Sequence, residues 1–329
     1  MLSFHHHEIK HDLPTLQVLT MKPVISVVGS ANMDLVFRTP RMPLIGETIA
    51  GGEFHQIPGG KGANQAVAAA RLGAAVNFIG RVGDDAFGVR LRDCLTADAI
   101  DVSRLAKTLD TATGVAGIIV DASGRNCIVL APGANECLSA LDVNNVAQSI
   151  RDSKLLVCQL ETPLETVTAA INIAREANVA VILNPAPARE LTDKLLQQIN
   201  YLIVNEVEAC QLSGIEVTDA VSAQLASNKL LARGVGAVLL TMGEHGVFIA
   251  NSDTKKIIPG ISVKVVDTTA AGDTFVGAFA VGIASGLSFE AASIEAQYAA
   301  ALTVTRLGAQ TSIPHRQEVL TFMVSRKAA

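Results

Sequence analysis

The chain has 329 residues and a formal net charge of −5, with 49% hydrophobic and 17% charged residues. That length and apolar content allow a large buried core, while a mildly acidic chain without a basic run argues against nucleic acid as a partner. The most apolar helical stretch, Thr274 to Leu287, is too short and too rich in glycine to span a bilayer, so no membrane partner is expected.

Residues 1–20 carry four histidines (His5, His6, His7 and His11) among polar residues and lack the pattern of a signal peptide. They read as a disordered tail, with the pattern of a fold running from Met21, a candidate natural start, to residue 329. Only His55, His245 and His315 remain in the body, too few for a histidine metal cage or a Ser-His-Asp triad to be expected. The five cysteines are scattered with no C-x-x-C pair, which fits free thiols in a reducing, cytoplasmic setting.

From Lys22 onward strands and helices alternate. Val24 to Val28 is a short β-branched run, and Gly29-Ser30-Ala31-Asn32-Met33-Asp34 is expected as the turn at its carboxyl end. Asp34 is either a turn-forming aspartate or an acceptor for substrate hydroxyls. Ile57-Pro58-Gly59-Gly60-Lys61-Gly62-Ala63-Asn64-Gln65-Ala66 then runs into a helix through Ala70 and Leu72. Its spacing is not that of a P-loop. It still brings backbone N–H groups, a cation and an amide together, so it is either a plain glycine-rich turn or a cradle for phosphate or a polyhydroxylated ligand.

Val76 to Ile79 is a further strand, followed by a turn at Gly83-Asp84-Asp85 and a helix over Phe87 to Leu95. Val115 to Val120 and Asn126 to Leu130 break the rhythm, reading as a hairpin around Asp121-Ala122-Ser123-Gly124. Together with the segment near Asp34 to His55 they predict a small sheet standing off the main one, formed by about 32–58 and 113–131, which would act as a lid. Strands then follow over 155–160, 179–183, 201–204 and 237–240, with a helix over Thr166 to Ala177. They end respectively at Glu161, at Asn184-Pro185-Ala186-Pro187, at Asn205-Glu206-Val207-Glu208 and at Thr241-Met242-Gly243-Glu244-His245-Gly246. Polar clusters repeatedly placed just past strand ends indicate one ligand-binding edge of a doubly wound, mostly parallel α/β sheet.

The stretch Asp267-Thr268-Thr269-Ala270-Ala271-Gly272-Asp273-Thr274-Phe275 carries the chemistry. Val263, Val265 and Val266 predict an extended segment that breaks into small residues and becomes a helix from Thr274 to about Ser285. Unpaired N–H groups at a helix start favour an anion. Asp273 is then either a simple helix-start carboxylate or a base beside an anion hole. With Asp34, Gly60, Lys61, Asn64 and Glu161 offering partners for hydroxyls, and Asn205 and Glu208 able to hold phosphate-bound Mg²⁺ through water, the inventory is that of phosphoryl transfer from a nucleotide to a sugar alcohol.

On these motifs the chain resembles the ribokinase-like (PfkB) carbohydrate kinase family. The matching stretches are Gly29 to Asp34, Gly59 to Ala66 (GGKGANQA), Leu183 to Ala188 (LNPAPA), Asn205 to Ala209 (NEVEA), Asp267 to Phe275 (DTTAAGDTF) and Gly308 to Ser312. The resemblance runs from about Val24 to the C-terminal helix, and GGKGAN with LNPAPA points to the ribokinase branch. It implies ATP-dependent phosphorylation of D-ribose at the 5-hydroxyl. Asp273 would be the general base, Ala270, Ala271 and Gly272 the anion hole, and Asp34, Gly60, Lys61, Asn64, Glu161 and Asp273 the sugar site. Asn205, Glu208, Thr241, Gly243, Gly246, Gly272 and Gln297 would serve ATP and its Mg²⁺, Gln297 standing where related kinases often place His or Asn. The family is activated by K⁺, and the matching positions are Asp267, Thr269, Thr303, Arg306 (through its carbonyl), Gly308 and Ser312. A homodimer joined through the β-lid is implied as well. Rival expectations are a kinase of 2-deoxyribose, another pentose, fructose or a nucleoside, and a sugar-binding regulator without turnover. A dehydrogenase is disfavoured, because no G-x-G-x-x-G follows the first strand.

Overall fold

The computed structural model describes residues 21–327; the expected N-terminal tail lies outside the described residues. Thirteen strands are present among them: β1 (Val24–Val28), β2 (Asn32–Thr39), β3 (Phe54–Gly59), β4 (Ala75–Gly83), β5 (Leu105–Thr108), β6 (Gly114–Asp121), β7 (Asn126–Ala131), β8 (Leu155–Cys158), β9 (Ala180–Leu183), β10 (Tyr201–Asn205), β11 (Ala237–Thr241), β12 (Val247–Ala250) and β13 (Lys255–Ile258). Nine form the main sheet, in the order β13-β12-β11-β10-β9-β8-β1-β4-β5. From β5 to β11 every pairing is parallel, and β12 and β13 close one edge as an antiparallel pair.

Parallel strands covered on both faces read as apolar runs, and β8 to β11 do, turning polar only at Asn205 and Thr241. Alternate side chains feed two cores. Ile25, Val27, Leu155, Val157, Ile182, Ile203 and Leu239 face one layer of helices, among them Lys61–Arg71, Ala271–Ala284 and Phe289–Thr303. Val28, Leu156, Val181, Leu202, Val204, Val238 and Leu240 face the other, which includes Leu164–Glu176 and Ala220–Ala232. Phe279 is fully buried in the first core and meets Tyr201 edge-on, with ring centroids 5.2 Å apart. Strand β1 lies between β4 and β8, so strand order reverses there. The crevice past its carboxyl end is where a doubly wound sheet receives a ligand.

The second sheet has four strands in the order β3-β2-β6-β7. The hairpin predicted around Asp121 is β6 and β7, and Asp121 secures its turn by accepting from Ser123 and Arg125. The expected turn over Gly29 to Asp34 is shorter than its sequence suggests. Asn32, Met33 and Asp34 already belong to β2, which pairs antiparallel with β3 and parallel with β6. A strand stabilised by two partners so distant in sequence leaves little local trace.

Two further boundaries differ. The helix expected from Thr274 starts at Ala271, because Ala270 takes the left-handed turn (φ 61°) that frees Ala271 and Gly272 to become helical. The segment 263–266 is irregular instead of a strand. Val266 and Asp267 both donate to the single carbonyl of Val304, which anchors the chain without forming a ladder.

Candidate active site

Three chain segments meet at the crevice beyond β1. The first is the Gly29–Ala31 turn with the start of β2. The second is the Gly59–Gly60 step into the helix Lys61–Arg71. There Gly60 has φ 88°, and a Cβ on it would stand 2.7 Å from the Asn32 amide nitrogen. A left-handed residue pressed against backbone has to be glycine. Gly62 is equally confined, since its Cβ would meet the Ser30 nitrogen at 2.6 Å. The third is Glu161, three residues past the end of β8, which accepts from the Ser30 hydroxyl (2.5 Å), the Lys61 amide (3.1 Å) and the Asn32 side chain (3.5 Å). One carboxylate thus ties all three segments together.

On the helix Lys61–Arg71, residues 61, 64 and 65 share a face by their i, i+3 and i+4 spacing. Asn64 donates to Asp273 Oδ2 at 2.9 Å and Gln65 to Asp273 Oδ1 at 3.0 Å. Asp273 is buried in the first turn of the helix Ala271–Ala284, where the leading N–H groups have no intrahelical acceptor. A Cβ built on Gly272 meets no atom within 4 Å, so this face of the turn opens to a visitor. Ala270, Gly272 and Asp273 line a cleft of about 230 Å³ together with Lys61, Asn184, Asn205, Glu208, Thr241 and Thr268. The helix start and the carboxylate expected from the sequence therefore do stand side by side, with a lysine opposite.

The electrostatics follow from crowding of acids. Burial, then the neighbouring Glu161 and Asp273, push the Asp34 carboxyl up from 3.8 to about 7, against an opposing pull from Lys61. Asp34 projects from β2 over Gly59, where a Cβ would collide with its carboxylate. Among the described residues that carboxylate receives no hydrogen bond. Burial alone would lower the Lys61 ammonium, but Asp273, Glu161, Glu208 and Asp34 outweigh it and raise it above its ordinary value. Burial likewise pushes the Glu208 carboxyl upward.

Asn205 and Glu208 form a capping box at the start of the helix Glu206–Ser213. The Asn205 side chain accepts from the Glu208 amide (2.8 Å), and Glu208 accepts from the Asn205 amide (3.0 Å). Both still line the cleft, so the cap and the ligand wall are one structure. Thr241, at the end of β11, lines it too. Gly243, Gly246 and Gln297 lie outside this lining. Gly246 (φ 99°) lets the 258–260 backbone pass close by, and the buried Gln297 donates to the Pro259 carbonyl at 2.6 Å.

Behind the helix start, Asp267 accepts from the Thr269 amide and hydroxyl (2.9 and 2.6 Å) and from the Gly308 amide (2.9 Å). Burial opposes these bonds, but they hold its carboxyl below the ordinary value. The Thr303 and Thr274 hydroxyls are hydrogen-bonded at 3.0 Å, joining the end of the helix Phe289–Thr303 to the first turn of the helix that carries Asp273. The Ser312 hydroxyl donates to the Ala309 carbonyl, and the Arg306 guanidinium turns away to Glu318. Of the six positions expected to form a cation site, Thr303 thus ends the helix Phe289–Thr303 and the other five lie on two loops joined by the Gly308–Asp267 hydrogen bond, where the arginine leaves only its backbone.

Residues 22–316 match the family described as pfkB family carbohydrate kinase. The chain belongs to that family. As a carbohydrate kinase it is similar to ribokinase of Haemophilus influenzae, with 44% identity over 92% of this chain and 99% of the relative. It is also similar to deoxyribokinase of Salmonella typhi, with 38% identity over 88% of this chain and 95% of the relative. The solved structure of Arabidopsis thaliana ribokinase complexed with ribose and ATP superposes with a TM-score of 0.87 at 32% identity, over 92% of this chain and 99% of that one. The main sheet with its small second sheet is the fold of these kinases.

The motifs assign no role to Gln65, Asn184, Ser30 or Gln159, yet Ser30 bonds to Glu161, Gln65 to Asp273 and Asn184, and Gln159 to Gln65. Gln65 carried a signal, one residue after Asn64 and four after Lys61 on the same helix. Gln159 carried none, since it sits inside a run expected to be a plain strand.

Proposed function

We propose that this carbohydrate kinase transfers the γ-phosphoryl group of ATP to the 5-hydroxyl of D-ribose. The observation that carries the reading is the placement of Asp273. A buried carboxylate, held by two amides, sits in the first turn of a helix whose start, Ala270 and Gly272, lines an open cleft. An acceptor hydroxyl seated there meets a base on one side and, on the other, donors for the phosphoryl oxygens it attacks. Asp273 takes the hydroxyl proton as the O–P bond forms and the bond to the ADP leaving oxygen breaks. Positioning and charge neutralisation carry most of the rate, because the transferring group passes through a loose transition state.

Asp34, Lys61, Asn64 and Glu161, with the Gly60 backbone, would hold the sugar. Among the described residues the buried Asn64 Oδ1 has no partner, and a sugar hydroxyl would supply one. Asn205, Glu208 and Thr241 line the nucleotide end; Gly243, Gly246 and Gln297 would frame it from outside the cleft. Mg²⁺ bound with ATP neutralises phosphate charge. The all-oxygen set at Asn205 and Glu208 suits its hydration shell, reached through water because both side chains are spent on the cap. K⁺ would be held by Asp267 and Ser312 with the backbone carbonyls of Thr269, Thr303, Arg306 and Gly308, an oxygen-rich set of the right hardness. Residues 21–329 would form one kinase domain with the small sheet as its lid. Strand β7 is exposed along its whole length, including Ile128, Val129 and Leu130, and lies at the sheet's edge, which supports a homodimer joined there. Among the described residues no helix is long and apolar enough to cross a membrane, and the five free cysteines fit a cytoplasmic enzyme.

The test is coupled ADP release with Mg-ATP, comparing D-ribose, 2-deoxyribose, fructose and nucleosides in K⁺ and in Na⁺. K⁺-stimulated turnover with ribose is expected, and Asp273→Asn should fold normally yet lose ~10²–10⁴ in kcat, the range of general-base catalysis. Turnover confined to 2-deoxyribose would favour the second reading, which the Salmonella typhi relative supports. No turnover with any sugar would point to a binding protein.

A further inference from the structure

Both oxygens of the Asp273 carboxylate are gripped from one turn of one helix, but by residues in different situations. Asn64 is buried, and among the described residues its side-chain oxygen has no partner. Gln65 is 1% exposed and holds Asp273 Oδ1 from behind.

The orientation of the Gln65 amide is dictated by its surroundings. The carbonyl of Ile203, in β10, can only accept, so Asn184 must present Nδ2 to it, which it does at 3.0 Å. That leaves Asn184 Oδ1 facing Gln65, and Gln65 Nε2 donates to it at 3.1 Å. The same nitrogen donates its other hydrogen to Asp273. On the far side Gln159, itself fully buried, donates to Gln65 Oε1 at 2.6 Å. A flipped Gln65 would set its oxygen against two acceptors and its N–H₂ against a donor. Gln159 in turn packs where a Cβ on Gly29 would collide with it, at the end of the central strand. The chain of amides is thus anchored on the rigid middle of the main sheet and ends on the carboxylate.

We propose that Gln65 is a positioning residue for phosphoryl transfer: held in one orientation by Asn184 and Gln159, it fixes the Asp273 carboxylate toward the acceptor hydroxyl. The proposal rests on the reading that Asp273 is the base. Both polar atoms of the Gln65 amide are partnered, Nε2 by Asp273 and Asn184 and Oε1 by Gln159, which rigidifies what it holds, and small misplacements of a catalytic group are costly. The alternative is that Gln65 is only a satisfied polar residue of the core, which would affect stability and not the chemical step.

The variants Gln65→Met, which keeps length and loses the N–H, and Gln65→Glu, which keeps shape and presents oxygen, separate the two. Sugar affinity is read by calorimetry, and kcat and its pH profile by coupled ADP release, with Asp273→Asn run alongside. The charged groups facing Asp273 are Lys61 on the helix Lys61–Arg71, Asp34 on β2 and Glu208 on the helix Glu206–Ser213, with Glu161 beside Lys61; all are unchanged in both variants. The expected result is kcat lower by ~10–100-fold, the worth of one hydrogen bond to a charged group, with the sugar Kd within about threefold of wild type. The acid limb of the kcat profile should rise by about one pH unit in Gln65→Met and further in Gln65→Glu. If Gln65→Met does not fold, Gln65→Glu carries the test alone. Unchanged kcat and acid limb in a folded variant, with Asp273→Asn inactive, would overturn the role of Gln65. Full turnover by Asp273→Asn would instead remove the base reading beneath it.

Discussion

Asp34→Asn tests the crowding of acids in the sugar site through stability as well as activity. The Asp34 carboxyl is pushed from 3.8 to about 7 by burial, Glu161 and Asp273. A folded value above the unfolded one means that the native state holds the proton more tightly. Stability is therefore full below pH 3.8, falls as pH rises toward about 7, and is lowest above that. About three units at ~1.4 kcal/mol each set a ceiling of ~4 kcal/mol. Asp34 is only half-buried, so solvent screening roughly halves this, to ~2 kcal/mol. The neutral isostere carries none of it. In thermal unfolding without ligand, the Tm of Asp34→Asn relative to wild type should therefore be higher by roughly 4 °C at pH 8 than at pH 4, taking ~2 °C per kcal/mol for a chain of this size. At pH 8 the same variant should bind sugar ~10–100-fold more weakly, having lost a charged acceptor. An identical Tm difference at both pH values would refute the claim that Asp34 is held in an unfavourable charged state.

Three further outcomes follow from the geometry. Gly60→Ala places a Cβ against the β2 backbone at φ 88° and should cost ~2–4 kcal/mol from strain and clash, measured by denaturant unfolding; a loss below ~0.5 kcal/mol would contradict the confinement described. Asp267→Ala should abolish stimulation of turnover by K⁺ while leaving the Na⁺ rate nearly unchanged, and an intact K⁺ response would remove the cation site. The double change Ile128→Lys and Val129→Lys on β7 should convert a dimer to a monomer by light scattering, since a charge in an apolar edge-strand interface is left unpaired; an unaltered mass would place any dimer contact elsewhere.

What the sequence could and could not disclose has physical reasons. Strands β1, β8, β9, β10 and β11 are buried on both faces, so they are written as apolar runs that end at polar residues, and the ligand edge could be read from those ends. Asp273 was visible because small residues before a helix are a local signal. Strand β2 was hidden, since Asn32 to Thr39 is extended only because β3 and β6 flank it, and β6 lies about eighty positions downstream in the chain. The amides that hold Asp273 were hidden for the same reason: Gln65, Gln159 and Asn184 come from three distant segments and meet only in the folded chain.

The two halves of the active site differ in how they are attached. Asn205 and Thr241 end two strands of the nine-stranded sheet, and Asp273 stands on a helix packed against it, so the sheet behaves as a fixed bench. Asp34 is carried on the four-stranded sheet, an excursion that leaves the bench after Ala31 and returns at Gly59. On the proposed reading the reaction would thus be bolted to the frame, while part of the grip on the acceptor would ride on an attachment. Changes in that attachment can alter which alcohol is accepted without disturbing how phosphate is moved.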